Sequence, residues 1–452
     1  MLTDKYNLTK GNILKQLILV SLPVVLTSFV EMAYNLTDLF WLGRATPNEE
    51  INTGFLASAG IGGLFTWLGA AIIVLIKIGT EVGVSQSIGK EDDESASLFA
   101  RTGVQLEFIF SLVFACILYA FAPFWVGLFN IPEQEVFENA VTYISIISYG
   151  LVFYSINPIF SAALAGTGNT FVPFIIGSTG LIFNMILDPI FIITLEMNIK
   201  GAAIATVISQ VLVTIIFIIY FYSRKSILSN TNFFTKIDRK KASFILKLGF
   251  PAAIQSALFT FISMYISGLV SPFGKEANAS QKVGSQIESL SWLTAGGFQT
   301  ALSAFVGQNY GAKQPERINK GVRYALISMT IYGIIITVLM YLFPRQLFNI
   351  FSNDVNALSK GADYLKILSF SQLFMIIEAL VGGAFHGIGK TIPPSIVSLT
   401  FNILRIPMAY LLIPIYGLNG IWLALTISSV FKGIVIYIWY KLYIRKSYFF
   451  KS

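Results

Sequence analysis

Histidine and cysteine each occur once in this sequence, as His386 and Cys116. One of each can assemble neither a metal cluster nor a Cys–His dyad, and a lone cysteine closes no disulfide within the chain. No Walker sequence is present. Gly166-Thr167-Gly168 and Gly387-Ile388-Gly389 lack the strand context that a nucleotide-binding fingerprint requires. Charge is scarce as well: 12% of the 452 residues are Asp, Glu, Lys or Arg, against about 25% in soluble domains. These absences argue against an enzyme, including a membrane-embedded one, and against a nucleotide-driven machine. Work done by such a chain must draw on ion gradients. One charge crossing 100 mV supplies about 2.3 kcal/mol, and a tenfold concentration ratio about 1.4 kcal/mol.

What fills the sequence is apolar: 55% of residues are hydrophobic and 14% aromatic. The composition predicts an all-α integral membrane protein. Apolar runs predict twelve transmembrane helices near 14–41, 54–80, 96–121, 136–164, 171–196, 200–222, 244–271, 277–306, 321–344, 357–386, 392–414 and 418–444. The first run is too long for a secretory leader and is followed by further spans. A net charge of +8 would suit nucleic acid, but the placement of the charges suits a bilayer better. With the spans fixed, 21 Lys and Arg fall on the side of the N-terminus and 7 on the other, leaving Lys77, Arg405 and Lys432 within spans. The positive-inside rule then puts both termini in the cytoplasm, in a multi-pass protein of the cell membrane.

The sequence repeats. A shift of 221 residues pairs Tyr143 with Tyr364, Ser148 with Ser369, Phe153 with Phe374, Ala163 with Ala384, Gly166 with Gly387, Gly168 with Gly389, Thr170 with Thr391 and Pro173 with Pro394. Nearby offsets pair Pro23 with Pro251, and Gln86-x-x-Gly89 with Gln308-x-x-Gly311. Two pseudo-symmetric six-helix halves follow, 1–222 and 244–452, joined by a cytoplasmic linker, 223–243, rich in Lys and Arg. Six helices is an even number, so the copies share orientation, as in transporters that hold substrate between their halves and alternate access.

Polar residues inside spans carry the chemistry, because a carboxylate at mid-bilayer costs about 2.5–3.5 kcal/mol. Asn184 precedes Asp188 by one helical turn, so both side chains share a face, and Pro189 frees the carbonyl of Met185. The chemical reading is a cation or proton site; the plain reading is a helix–helix hydrogen bond beside a proline kink. Glu31, Asn35 and Asp38 form a stripe on the first helix with Tyr34 beside it, and such a stripe must look inward. Two carboxylates facing one cavity, such as Asp38 and Asp188, cannot both ionise easily and titrate as a unit. A bound Na⁺ would neutralise them equally well. In the second half, Gln281, Ser285 and Glu288 share a stripe, and Glu378 either meets a cationic substrate or pairs with Arg405. His386 reads as a loop or headgroup contact and Glu91-Asp92-Asp93-Glu94 as a solvated helix start. Glu107 and Lys432 receive no role.

The ordered set Leu22-Pro23, Tyr34-Asn35-x-x-Asp38-x-x-x-x-Gly43, Asn184-x-x-x-Asp188-Pro189, Gln308-Asn309-Tyr310-Gly311-Ala312 and Gly387-Ile388-Gly389-Lys390-Thr391 resembles the MATE (multidrug and toxic compound extrusion) family over essentially the whole chain. The resemblance implies a V-shaped monomer in the cell membrane that exports amphipathic organic cations or drugs by alternating access, in exchange for inward H⁺ or Na⁺, with no other cofactor. It places ion coupling on Asp38, Asn184, Asp188, Thr206 and Tyr143, the DinF-like pattern; with Na⁺, the first four would be its ligands. Glu31, Tyr34, Asn35, Asn157, Gln255, Glu288 and Glu378 are candidates to line the substrate cavity. NorM-like members use acids on the seventh and tenth helices, whereas the seventh here offers Gln255 and Tyr265. A lipid-linked oligosaccharide or peptidoglycan-precursor flippase of the wider superfamily is the alternative, though its diphosphate cargo suits basic cavities.

Overall fold

The computed structural model describes residues 7–129, 131–223, 233, 235–350 and 355–450, without the side chains of 35, 66, 67 and 355–357. Most of the expected linker (224–232 and 234) and the side chain of Asn35 therefore lie outside the described residues. The first half holds α1 (Ile13–Leu42), α2 (Glu49–Gly89), α3 (Asp93–Ala120), the short α4 (Ala122–Gly127), α5 (Gln134–Gly166), α6 (Phe171–Pro189) and α7 (Asn198–Tyr222). The second holds α8 (Arg239–Val270), α9 (Lys275–Gly311), α10 (Pro315–Leu342), the short α11 (Pro344–Asn349), α12 (Val355–Gly387), α13 (Ile392–Tyr416) and α14 (Leu418–Lys446). No strand occurs among the described residues.

Eleven of the twelve long helices are long and apolar enough to cross a membrane. The exception is α9, whose sequence is rich in Ser, Gln and Gly. Several helices outrun their expected ends. The apolar run at 54–80 is the middle of α2, which continues to Gly89 through Thr80, Glu81, Ser85 and Ser87, all buried against neighbouring helices. Polar caps set other ends. Asn48 accepts from the backbone amides of Glu50 and Ile51 to start α2, and Asp92 accepts from Ser95 N at 2.9 Å to start α3. The acidic run at 91–94 is thus a helix start, as its charge pattern suggests.

Packing divides the described residues into two compact units: 26–250 with Asn7, and 251–450 with 8–25. The divisions fall inside α1 and α8, next to Pro23 and Pro251. A proline leaves the carbonyl one turn earlier without its amide, which makes these the places where a helix gives way. Division by packing therefore differs from division by sequence at 8–25 and 244–250, because each half's first helix opens in the other unit's core. Leu8, Ile13, Leu17 and Val20 pack with Phe305, Val306 and Ile318, while Ile245 packs with Ile76 and Phe99.

The Gln308-Asn309 motif serves that exchange. Leu8 N donates to Gln308 Oε1 at 2.9 Å and Asn309 Nδ2 to Leu8 O at 3.1 Å. Arg317 donates to the carbonyls of Leu8, Lys10 and Gly11. In the other unit Gln105 Nε2 holds the carbonyls of Phe233 and Thr235, at 2.8 and 2.7 Å, ahead of α8. Both lead-in segments are fastened through their backbone, so the fastening depends little on their side chains.

Candidate functional site

In the first unit, α1, α6 and α7 bring four polar side chains together. Thr206 Oγ1 donates to Asp38 Oδ2 at 3.1 Å, and Asn184 Nδ2 donates to Asp188 Oδ1 at 3.0 Å. The two carboxyl groups also interact with each other. Asn184 and Asp188 are fully buried. Around them Asp38 Oδ1, Asn184 Oδ1 and Asp188 Oδ2 are buried without a hydrogen-bond partner among the described residues. Neither carboxylate has an ion pair with a lysine or arginine there. Oxygens that can only accept, crowded and without a base, need a positive charge between them. A proton shared by the carboxyls supplies it, and so would a small hard cation taking carboxylate, amide and hydroxyl oxygens.

Helix geometry explains the convergence. The i, i+4 spacing stacks Asn184 under Asp188, and behind Pro189 the backbone widens into a π-helical turn, Ile190–Thr194. One turn earlier sits Gly180, whose carbonyl accepts from Tyr34 OH at 2.8 Å. A Cβ there would collide with Val213 on α7, so only glycine lets α6 lie this close. Tyr143 is buried beside the two acids and packs its ring against Gly62, where a Cβ would overlap it. Its repeat partner Tyr364 lies on Gly284 in the same way. Gly180 and Gly62 were not singled out from the sequence, since a contact between distant helices leaves no local signal.

The other candidates separate. Glu31 is exposed and faces Lys77 and Tyr154 electrostatically, while Tyr34 is used by Gly180. Asn157 ties α5 to α7 through its carboxamide. It donates to Gln210 Oε1 at 2.9 Å and accepts from Thr214 Oγ1 at 2.8 Å. Gln255 is half-buried on α8 in the second unit. Glu107 is fully buried on α3 with both carboxylate oxygens unpartnered among the described residues, and His386 ends α12 instead of standing in a loop.

Glu288 and Glu378 belong to a different arrangement in the second unit. Glu288 on α9 accepts from Tyr364 OH at 3.1 Å and Gln372 Nε2 at 3.2 Å, both on α12. Glu378 pairs with Lys432 on α14 at 3.0 Å and accepts from Ser398 on α13. The pairing of Glu378 with Arg405 is therefore corrected: Lys432 takes the carboxylate, and Arg405 donates to Ser428 and Ser429 at 2.8 and 3.1 Å. Here one acid is paired with a base, while the second acid and the second base are held by neutral side chains.

The MatE family profile matches residues 23–190 and 251–411, one stretch in each half, each beginning at a proline of the first helix. The chain belongs to the MATE family. Its match to the probable multidrug resistance protein NorM of Thermotoga maritima is 26% identical and covers 93% of this chain and 90% of that one. The match to the probable multidrug resistance protein YpnP of Bacillus subtilis is 25% identical over 96% of both chains. Among solved structures, the crystal structure of MATE in complex with MaD3S superimposes with a TM-score of 0.90 over both whole chains at 21% identity. This MATE chain thus has the all-helical MATE fold in a multi-pass membrane protein.

Proposed function

We propose that this protein is a secondary active multidrug antiporter of the cell membrane, with both termini cytoplasmic. It exports amphipathic organic cations in exchange for inward H⁺ or Na⁺ by alternating access, and works as a monomer. The carrying observation is the pair Asp38–Asp188, each with one sealed, unpartnered oxygen and neither with an ion-paired base among the described residues. Two like charges so placed are stable only when one positive charge is present. Entry of the coupling ion satisfies them; its loss leaves a strained, polar interior that favours a different packing of α1 against α6. Thr206 and Asn184 hold the carboxylates in place through both states, and Na⁺ would take oxygens from these four residues. Coupling through this half is the DinF-like pattern. The prolines in α1 and after Asp188 supply the compliance such a change needs.

The names of relatives that match over nearly the whole chain support drug export over transport of a lipid-linked cell-wall precursor. The deciding experiment is efflux of fluorescent organic cations from proteoliposomes under separately imposed pH and sodium gradients. Export driven by an inward gradient of one of the two ions is expected. Export indifferent to both would overturn the antiport reading.

A further inference from the structure

The repeat that aligns the two halves can be carried past Pro173 and Pro394 into α6 and α13. The same 221-residue shift sets Arg405 on Asn184 and Ala409 on Asp188. Tyr143 and Tyr364, already paired, occupy like positions against Gly62 and Gly284. The position that carries a carboxamide in the first half thus carries a guanidinium in the second, and the aspartate has become a buried alanine. In register terms the charge of the site is reversed.

The surroundings of Arg405 follow that reversal. It is only 7% exposed, yet no carboxylate approaches within ion-pair distance among the described residues. Its Nε and Nη2 donate to the neutral hydroxyls of Ser428 and Ser429, one turn above Lys432 on α14. Nη1 makes no hydrogen bond among the described residues, and the Phe259 ring centroid lies 5.9 Å from the guanidinium carbon. Of the nearby acids, Glu378 is held by Lys432 and Ser398, and Glu288 by Tyr364 and Gln372. A buried guanidinium with donors to spare, fixed by hydroxyls instead of a carboxylate, is built to take a planar anion through paired N–H donors.

We infer that Arg405, fixed by Ser428 and Ser429, is a recognition point for the carboxylate of an organic solute, so that the second half selects cargo bearing a negative group beside its cationic or apolar body. This rests on the transport reading only in taking the bound solute as cargo. Glu288 and Lys432 then keep the neighbourhood electrically balanced while Arg405 engages the solute.

The test uses two dyes that differ by one group: tetramethylrhodamine, which carries a free carboxylate, and its methyl ester, which does not. Binding of each to the purified full-length protein in lipid nanodiscs is read by fluorescence polarisation. The wild-type protein is expected to bind the acid about tenfold more tightly than the ester. In R405Q the ratio of the two affinities should collapse towards one. In R405K, which keeps the charge and loses the fork, it should fall between. Equal affinities in the wild type, or an undiminished ratio in R405Q, would overturn the assignment. The wild-type comparison decides even where a variant fails to fold. Ion-driven export of simple cations is measured separately, so failure here leaves the coupling site untouched, and failure of coupling leaves this ratio readable.

Discussion

The two halves answer the same problem, charge inside a membrane, in opposite ways. In the first, Asp38 and Asp188 meet with only neutral partners, Thr206 and Asn184. In the second, Glu378 is closed by Lys432, and Glu288 is held by Tyr364 and Gln372 in the field of Arg405. An acid pair without a base is incomplete by one positive charge and responds to ions. An ion pair such as Glu378–Lys432 is complete in itself and responds little, whereas Arg405 beside it is held by neutral hydroxyls. The same repeat has thus produced one half with two acids and no base beside them among the described residues, and another where acids and bases lie together.

The largest expected effect is on the incomplete pair. D38N or D188N removes the need for a compensating charge, so ion-driven export should fall on the 5–150-fold scale of a coupling free energy, about 1–3 kcal/mol. Each protein should remain in the membrane. The readout is drug efflux in proteoliposomes and resistance of a sensitised host, and full activity in both variants would dissolve the contrast between halves. Next is the ion pair. K432M strands the Glu378 carboxylate and should cost about 3–5 kcal/mol of stability, whereas the double variant K432M/E378M should recover most of it. Thermal unfolding in detergent measures both, and a double variant as unstable as the single would show that the two charges do not act as a pair. The smallest effect belongs to T206A. Losing one hydroxyl donor to Asp38 should weaken affinity for the coupling ion by about 0.5–1.5 kcal/mol, roughly two- to tenfold. The half-saturating ion concentration for efflux reports it, and an unchanged value would remove Thr206 from the site.

Much of this was legible in the residues. Asn184 and Asp188 lie four apart on one helix, so their hydrogen bond follows from helical geometry alone. Of the stripe on α1, Asp38 meets Thr206 and Asp188, whereas Glu31 is exposed, a difference that the shared face did not foretell. Partner choice in the second half was not legible. Arg405 and Lys432 are both basic, both apart in sequence from Glu378, and on different helices; only the packing of α12 with α14 puts Lys432 within 3.0 Å. The partners of Asn157, Gln210 and Thr214 on α7, were likewise not legible, since they lie more than fifty residues away. The reversal at Arg405 could have been found by extending the repeat a further eleven residues, since the signal is positional.

By itself the sequence determined that the chain is helical, membrane-spanning and duplicated, because hydropathy, Lys and Arg asymmetry and internal identity are properties of the order of residues. It also determined which acids were too costly to be idle. Only the tertiary structure decided which of them meet each other and which meet a base. That depends on a few ångströms of approach between helices distant in the chain, set by features such as Gly180 against Val213, and no local pattern encodes such distances.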